Sequence, residues 1–462
     1  GINTHELWLV YLGYGAIGGC GLGLAYVTPV STLIRWFPDR RGMATGIAIM
    51  GFGGGAMIGA PLITYLLSFF YKAPEYLGKV ADVNLITEGG RRFAEVAGEK
   101  TEVVIASVAD MAKASVSGPE GVYVVGTGDT GAASVFLTLG IVYFIVMTIA
   151  AFAFRVPAKD WKPEGWEAPK ADESKKRLIT DDHVHIDQAI KTPQFYHLWI
   201  VLCFNVTAGI AVIGVAKTMI TDIFGPAFPG IVDASFAATY VLMISVFNMC
   251  GRLIWSSLSD FIGRKNTYHV FFVVGMMLYV SIPFIATQAS VNPAVTWLVM
   301  FYGVTMLIFT MYGGGFATIP AYLADIFGTL HVGGIHGRLL TAWSTAGILG
   351  PFVITHLRQS SVENAINSLA QKIDPAAFQA KFGAGLDQLQ TLVAAKTVSI
   401  SQLMEIAPAG TIDPTPTLYN TTMYAMAGLL FIAFLANLTL RKVDSKHHVQ
   451  NSHPELALDN AS

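Results

Sequence analysis

The residue best placed to do chemistry is Arg252, in Phe247-Asn-Met-Cys-Gly-Arg-Leu-Ile-Trp255, an apolar run that gives way to the polar stretch Ser256 to Asp260. A charged side chain inside such a run is costly and marks a cavity, a pathway or a partner. A guanidinium presents N–H donors in a planar fork that matches a carboxylate. Anion binding is therefore one role open to Arg252. The other is structural: pairing with Asp260, or reaching to a polar border. Eight residues on, Asp260-Phe-Ile-Gly-Arg-Lys265 is a tight basic turn behind an acid at a helix end. Gly263 permits the turn. Asp260 can cap a neighbouring helix N-terminus or pair with an Arg, so Asp260, Gly263 and Arg264 form a candidate gate that locks one conformation. Tyr312 and Phe316 are one helical turn apart and share a face. With Trp343 and Tyr26 they lie near prolines that recur in the chain, where core, lipid-facing and pocket-lining roles are all open.

The remaining polar residues read more plainly. Lys217 is an anchor near a helix end, Asp325 a loop-closing charge, and His356 a structural residue at a border. His183 and His185 are solvated in a charged stretch. The apolar runs hold no nucleophile–base pair and no metal-ligand cluster. The glycine runs lack the preceding strand and following Lys-Ser/Thr of a phosphate loop. No catalytic residue, cofactor or metal is expected, and the chain is not read as an enzyme.

These residues must be positioned by long apolar elements. Crossing a bilayer takes roughly 17–25 residues, and nine runs suffice: 7–34, 42–70, 132–154, 195–221, 234–257, 267–287, 295–325, 336–357 and 416–440. They are continuous rather than alternating, which indicates helices, not a barrel. Hydrophobic residues make up 53% of the 462 and charged residues 13%, against about 25% charged in soluble domains; mean hydropathy is +0.53. The net charge of −2 implies no nucleic acid partner. Cys20, Cys203 and Cys250 all fall in apolar runs and form no disulfide framework. Basic residues in short loops set orientation. Arg35, Arg40 and Arg41, the cluster from Arg155 to Lys191, Arg264 and Lys265, Arg338, and Arg441, Lys442 and Lys446 mark the cytoplasmic side, whereas 222–233 and 288–294 hold no Lys or Arg.

One helix pair occurs twice. Gly21 to Pro29 followed by Gly55 to Pro61 is echoed by Gly313 to Pro320 followed by Thr345 to Pro351, with the prolines 32 and 31 residues apart. Parallel repeats of this kind are typical of secondary transporters. The first run matches the seventh, so the period is six helices and a full repeat needs twelve; three helices are expected before residue 1. The expected organisation is an all-α integral membrane protein. Residues 1–156 hold the remaining three helices of an N-terminal bundle with an external insertion at 72–131. Residues 157–193 form a cytoplasmic linker, 194–442 a C-terminal six-helix bundle with an external insertion at 358–415, and 443–462 a cytoplasmic tail. The first insertion has Gly- and Val-rich patches suited to short strands, and the second has helical pieces. They could form a joint cap or separate loops. Gly15, Gly19 and Gly23, and Gly51, Gly55 and Gly59, form four-residue ladders that would let helices pack closely.

Three stretches carry a family likeness: Gly18 to Gly46 with Trp36-Phe-Pro-Asp-Arg-Arg-Gly-Met-Ala-Thr-Gly46, then Gly51-Phe-Gly-Gly-Gly55, then Tyr312-Gly-Gly-Gly-Phe-Ala-Thr-Ile-Pro-Ala-Tyr-Leu-Ala-Asp325. Together they resemble the oxalate/formate antiporter family of the major facilitator superfamily. Asp260-x-x-Gly263-Arg264-Lys265 resembles the second copy of that superfamily's cytoplasmic loop motif, with Ser256 where its leading Gly would stand. The resemblance implies a major facilitator fold, two six-helix bundles around a central cavity, of which nine helices are present here. It implies a multi-pass protein of the plasma (bacterial inner) membrane, monomeric, whose partners are the lipid bilayer and a small carboxylate such as formate, lactate, pyruvate or oxalate. In the family an Arg and a Lys grip two carboxylates. The Arg matches Arg252, the Lys position falls at Trp343, and the aromatic pair matches Tyr312 and Phe316. Related monocarboxylate transporters carry an Asp four residues before this Arg, where this chain has Asn248. The implied substrate is thus a single carboxylate, moved by alternating access. The alternative is a membrane sensor on the same fold that does not transport.

Overall fold

In hydrocarbon a backbone must satisfy its own N–H and C=O groups, so long apolar runs become helices. The computed structural model describes residues 2, 4, 6–80, 82–88, 91–96, 98–106, 118–158, 161–166, 178–180, 182–394 and 397–449. Among them nine helical spans are long and apolar enough to cross a membrane. They are α1 (Leu7–Trp36), α2 (Arg41–Phe70), α3 (Ala132–Ala153), α4 (Pro193–Phe224), α5 (Ala234–Ile262), α6 (Arg264–Val291), α7 (Val295–Phe327), the pair α8 (Val332–Leu339) and α9 (Thr341–Ala370), and α10 (Asn420–Leu438). Lys159, Lys170, Lys175, Lys176 and Arg177 of the expected linker, and residues 450–462 of the expected tail, lie outside the described residues.

Local chemistry sets the ends. Thr192 caps α4 with Pro193 behind it, and the Asp233 carboxylate accepts the Phe236 N–H at 2.7 Å to open α5, each supplying an orphan first-turn donor with an acceptor. Gly263 alone separates α5 from α6, at φ 85°. α9 runs to Ala370, beyond the expected end at 357; its last turns bury Ile366 and Leu369 in the same core as Phe378 and Leu403 of the following short helices.

The described chain divides into two compact units. The first, Gly1–Gly21 with Ile58–Arg155, contains the one departure from an all-helical chain. Strands β1 (Tyr76–Gly78), β2 (Leu85–Glu88), β3 (Arg91–Val96), β4 (Glu99–Ala106) and β5 (Gly121–Val124) form an antiparallel sheet of order β1-β5-β4-β3-β2. Ala94, Val103 and Val122 are its core.

The second unit, Leu22–Met57 with Val156–Ser462, holds one continuous core. Within it α5 packs on α7, α6 on α10, and α4 on α9 and α10. The linker residues that are described strap this unit: Thr180 donates its N–H to Asp325 O (2.8 Å) and Val184 to Phe327 O (3.0 Å).

The expected glycine ladders do not pack. A Cβ at Gly15, Gly19, Gly23, Gly51, Gly55 or Gly59 would have no heavy atom within 4 Å among the described residues. The tight contacts fall instead on Gly42, Gly46 and Gly53, where a Cβ would meet Ser256 or Arg252 at 2.0–2.7 Å. At about 100° per residue, Gly42 and Gly51 point to opposite sides of α2, so the tight contacts seen among the described residues use the face opposite the ladder.

Candidate functional site

Arg252 sits inside the second unit, 3% exposed. Its Nε donates to Asn248 Oδ1, one helical turn back, and its Nη1 to Ile49 O, each at 3.1 Å. The guanidinium lies 5.3 Å from the Phe52 ring centre and 5.2 Å from that of Phe316. Trp343 stands 5.9 Å from Phe52 and 5.6 Å from Phe316, and Tyr26 stands 6.0 Å and 5.6 Å from the same two rings. Phe52 and Phe316, from α2 and α7, thus flank the cation, and Tyr26 of α1 and Trp343 of α9 pack behind them. A Cβ at Gly53 would lie 2.7 Å from Arg252 Nε, so glycine is what lets α2 approach.

The electrostatics are lopsided. Among the described residues no carboxylate pairs with Arg252; its hydrogen-bond partners are neutral. Burying a charge costs several kcal/mol unless it is paired, and cation–π contacts return only about 0.5–2 kcal/mol. The donors left over are suited to an anion. The structural alternative, a pair with Asp260, is not formed.

Asp260 is engaged elsewhere. Its two carboxylate oxygens accept the N–H groups of Gly42 and Met43, both at 2.9 Å, in the first turn of α2. Arg264 Nη2 reaches Asp260 at 2.6 Å and Arg264 Nε reaches Asp325 at 3.2 Å; Asp325 also takes Arg41 at 3.1 Å. Both roles anticipated for Asp260, helix cap and Arg partner, are realised together. Asp325 is no peripheral loop closure: at 4% exposed it joins two arginines, because α7 carries it into the join between α2 and α6. Two acids and two bases make the cluster neutral, which is what its burial requires.

The other sequence candidates divide. Tyr312 stays out of the ring cluster. Its ring fills the space over Gly209, where a Cβ would lie 2.1 Å away, and it lines a small cavity with Asn205 and Tyr279. Lys217 is exposed, and His356 is exposed and stacked on Phe352. His183 is half-buried and packs at Gly328, so it is less solvated than its sequence suggests. His185 meets His331 edge-on, with ring centres 5.0 Å apart. Burial, then the neighbouring His185, His183 and Arg35, holds His331 below the usual imidazole range. A hydrogen bond from Arg338 holds the Asp187 carboxyl below the usual carboxylate range.

Two site residues were not singled out in the sequence. Phe52 is the only bulky side chain in the glycine run Gly51 to Gly55, a signal open to reading. His336, 1% exposed and 5.6 Å from the Tyr26 ring, carries no pattern that marks it.

The profile of the Major Facilitator Superfamily matches residues 118–351, just over half of the chain. The chain belongs to the Major Facilitator Superfamily. It is a multi-pass integral membrane protein. It is similar to the oxalate:formate antiporter of Oxalobacter formigenes, 25% identical over 72% of this chain and 59% of that protein. It is also similar to apicoplast pyruvate carrier 1 of Toxoplasma gondii, 23% identical over 80% of this chain and 63% of the relative. A shorter match, 38% identical over 14% of the chain and 15% of the relative, is to monocarboxylate transporter 11 of Mus musculus. The chain spans about 60% of the length of the first two relatives.

Proposed function

We propose that this superfamily member carries small organic anions across a plasma membrane, a bacterial inner membrane in a bacterial cell, by alternating access. The observation that supports this most directly is Arg252: a buried guanidinium with neutral hydrogen-bond partners and ring faces around it. Such a group selects a carboxylate through charge and bidentate geometry. The names of the similar proteins, an oxalate:formate antiporter and a pyruvate carrier, fit the same solute class.

The site favours single carboxylates. Where a second cation would hold a second carboxylate, Trp343 offers an indole against Phe52 and Phe316. A second buried carboxylate would meet rings rather than a charge, which costs several kcal/mol. The Asp260–Arg264–Asp325–Arg41 cluster is the gate, closed on the cytoplasmic side, and Gly263 is the joint that brings Arg264 back to Asp260. Residues 72–131 and 358–415 then lie outside the cell.

Calorimetric titration of the purified protein in nanodiscs with formate, lactate, pyruvate and oxalate tests this. Micromolar to millimolar binding of the monocarboxylates, weaker binding of oxalate, and counterflow of the bound anion in vesicles are expected. Oxalate outcompeting all three monocarboxylates by a wide margin would overturn the preference. Binding without counterflow would favour the sensor.

A further inference from the structure

Among the described residues, two polar atoms beside the aromatic cluster have no hydrogen-bond partner: the Tyr26 hydroxyl and His336 Nε2. Both are buried, and the two rings are 5.6 Å apart. Tyr26 packs on Phe52 and Phe316, the rings that flank Arg252. Tyr26 therefore packs against His336 on one side and against the rings that flank Arg252 on the other.

The surroundings of His336 hold no charge that answers it. On the elements packed against α8, the charged and titratable groups near it are committed elsewhere. Asp187 pairs with Arg338, and His185 packs edge-on against His331. Asp325 takes Arg41 and Arg264, and Tyr322 bonds Asn437. The Tyr26 ring packs against the imidazole. Buried polar groups are ordinarily satisfied, and an unsatisfied pair at a binding site points to a ligand or a proton.

We propose that His336 binds a proton together with the anion held at Arg252, with Tyr26 bridging the two. This rests on the anion reading of Arg252. Imidazole is the side chain whose charge changes near neutral pH, and a buried imidazolium needs a negative partner. Among the described residues no carboxylate contacts His336, so the incoming carboxylate is the negative charge it lacks. The proton enters at Nε2. The Tyr26 hydroxyl accepts from that N–H and donates to the bound carboxylate. Thermodynamic linkage makes the coupling reciprocal: if the anion favours the proton, the proton favours the anion equally. The class of process is movement of a small carboxylate with a proton, the pair being electrically neutral.

Formate is the probe, because it stays ionised near neutrality and carries no second functional group. Binding heats measured in buffers of different ionisation enthalpy count the protons taken up per formate. The wild-type protein is expected to take up close to one, with affinity falling about tenfold per pH unit above the imidazole range. His336→Gln is expected to bind formate with no buffer-dependent heat, and Tyr26→Phe to reduce the proton count. His336→Asn serves if the Gln variant does not fold. Formate binding by wild type without proton uptake, or uptake retained in both His336 variants, would overturn the proposal while leaving the anion site standing. No formate heat from the wild type in any buffer would overturn both.

Discussion

Gly53 and Arg252 meet with no room between them: a Cβ on the glycine would stand 2.7 Å from Nε and 3.0 Å from Cδ of the arginine. The guanidinium owes its position to the missing side chain as much as to Asn248 and Ile49. Gly53→Ala should therefore displace Arg252, since overpacking typically costs about 1–3 kcal/mol. The expected result is formate affinity about 10-fold weaker or worse in a folded protein. Gly51→Ala, whose added methyl faces open space, is the control and should bind as wild type does. Equal affinity in the two variants would contradict the steric argument.

Arg252 should not tolerate replacement. Lys keeps the charge but not the planar fork, and Gln keeps neither charge nor fork. A charge-assisted hydrogen bond contributes about 1.5–3 kcal/mol, so binding should weaken roughly 10- to 150-fold for Arg252→Gln and less for Arg252→Lys. Size-exclusion profiles should show both variants folded. Wild-type affinity in folded Arg252→Gln would remove the ligand role.

The gate predicts a conformational effect rather than a binding one. Removing one partner of a buried ion pair costs about 3–5 kcal/mol. Asp325→Asn strands Arg41 and Arg264 together, and Asp260→Asn weakens the cap on Gly42 and Met43. Both variants should expose cysteines introduced along 42–46 to a cytoplasmic thiol reagent several-fold faster than in wild type. Unchanged labelling would mean that the cluster holds the fold but does not gate.

Orientation gives a separate expectation. Cysteines placed in the sheet of residues 76–124, and in residues 375–404, should react with an impermeant maleimide from outside intact cells. Labelling that requires permeabilised cells would reverse the topology.

Acid should loosen the linker strap. Burial and neighbouring cationic groups depress the His331 imidazole, so the folded protein binds fewer protons there than the unfolded chain. The contribution of this contact is fully present above the ordinary imidazole pKa of about 6.5 and is lost as pH falls below it toward the depressed folded value. Hydrogen-exchange protection factors in residues 182–192, which correct for the intrinsic slowing of exchange in acid, should fall as pH drops below about 6.5. His331→Asn should flatten that dependence.

The spans were legible because lipid admits few backbone solutions and writes them as long apolar runs; each of the nine runs overlaps one helical span. Arg252 and Asp260 were legible for the same reason, as charges out of place in apolar surroundings. Contact partners were not. Asp260 meets Gly42 and Met43 more than two hundred residues away, and no periodicity encodes that distance. The glycine ladder failed because spacing identifies a face without saying what stands opposite it. His336 escaped notice because a single histidine near a helix start has no local signature; only the unpaired Nε2 beside Tyr26 marks it.

Where α2 meets α5, glycines touch backbone and small side chains: Gly42 against Ser256 O, Gly46 against Ser256 Oγ. Surfaces of this kind have little to unthread. Interlocked side chains would have to change rotamer one by one before two helices could part, and each change would roughen the path. Here the resistance lies in a few polar bonds, those of Asp260 at one end of the seam and the Arg252 bond to Ile49 O further along it. If the chain acts as the proposed carrier, its turnover should then be set by how often those few bonds release, with little friction along the rest of the seam.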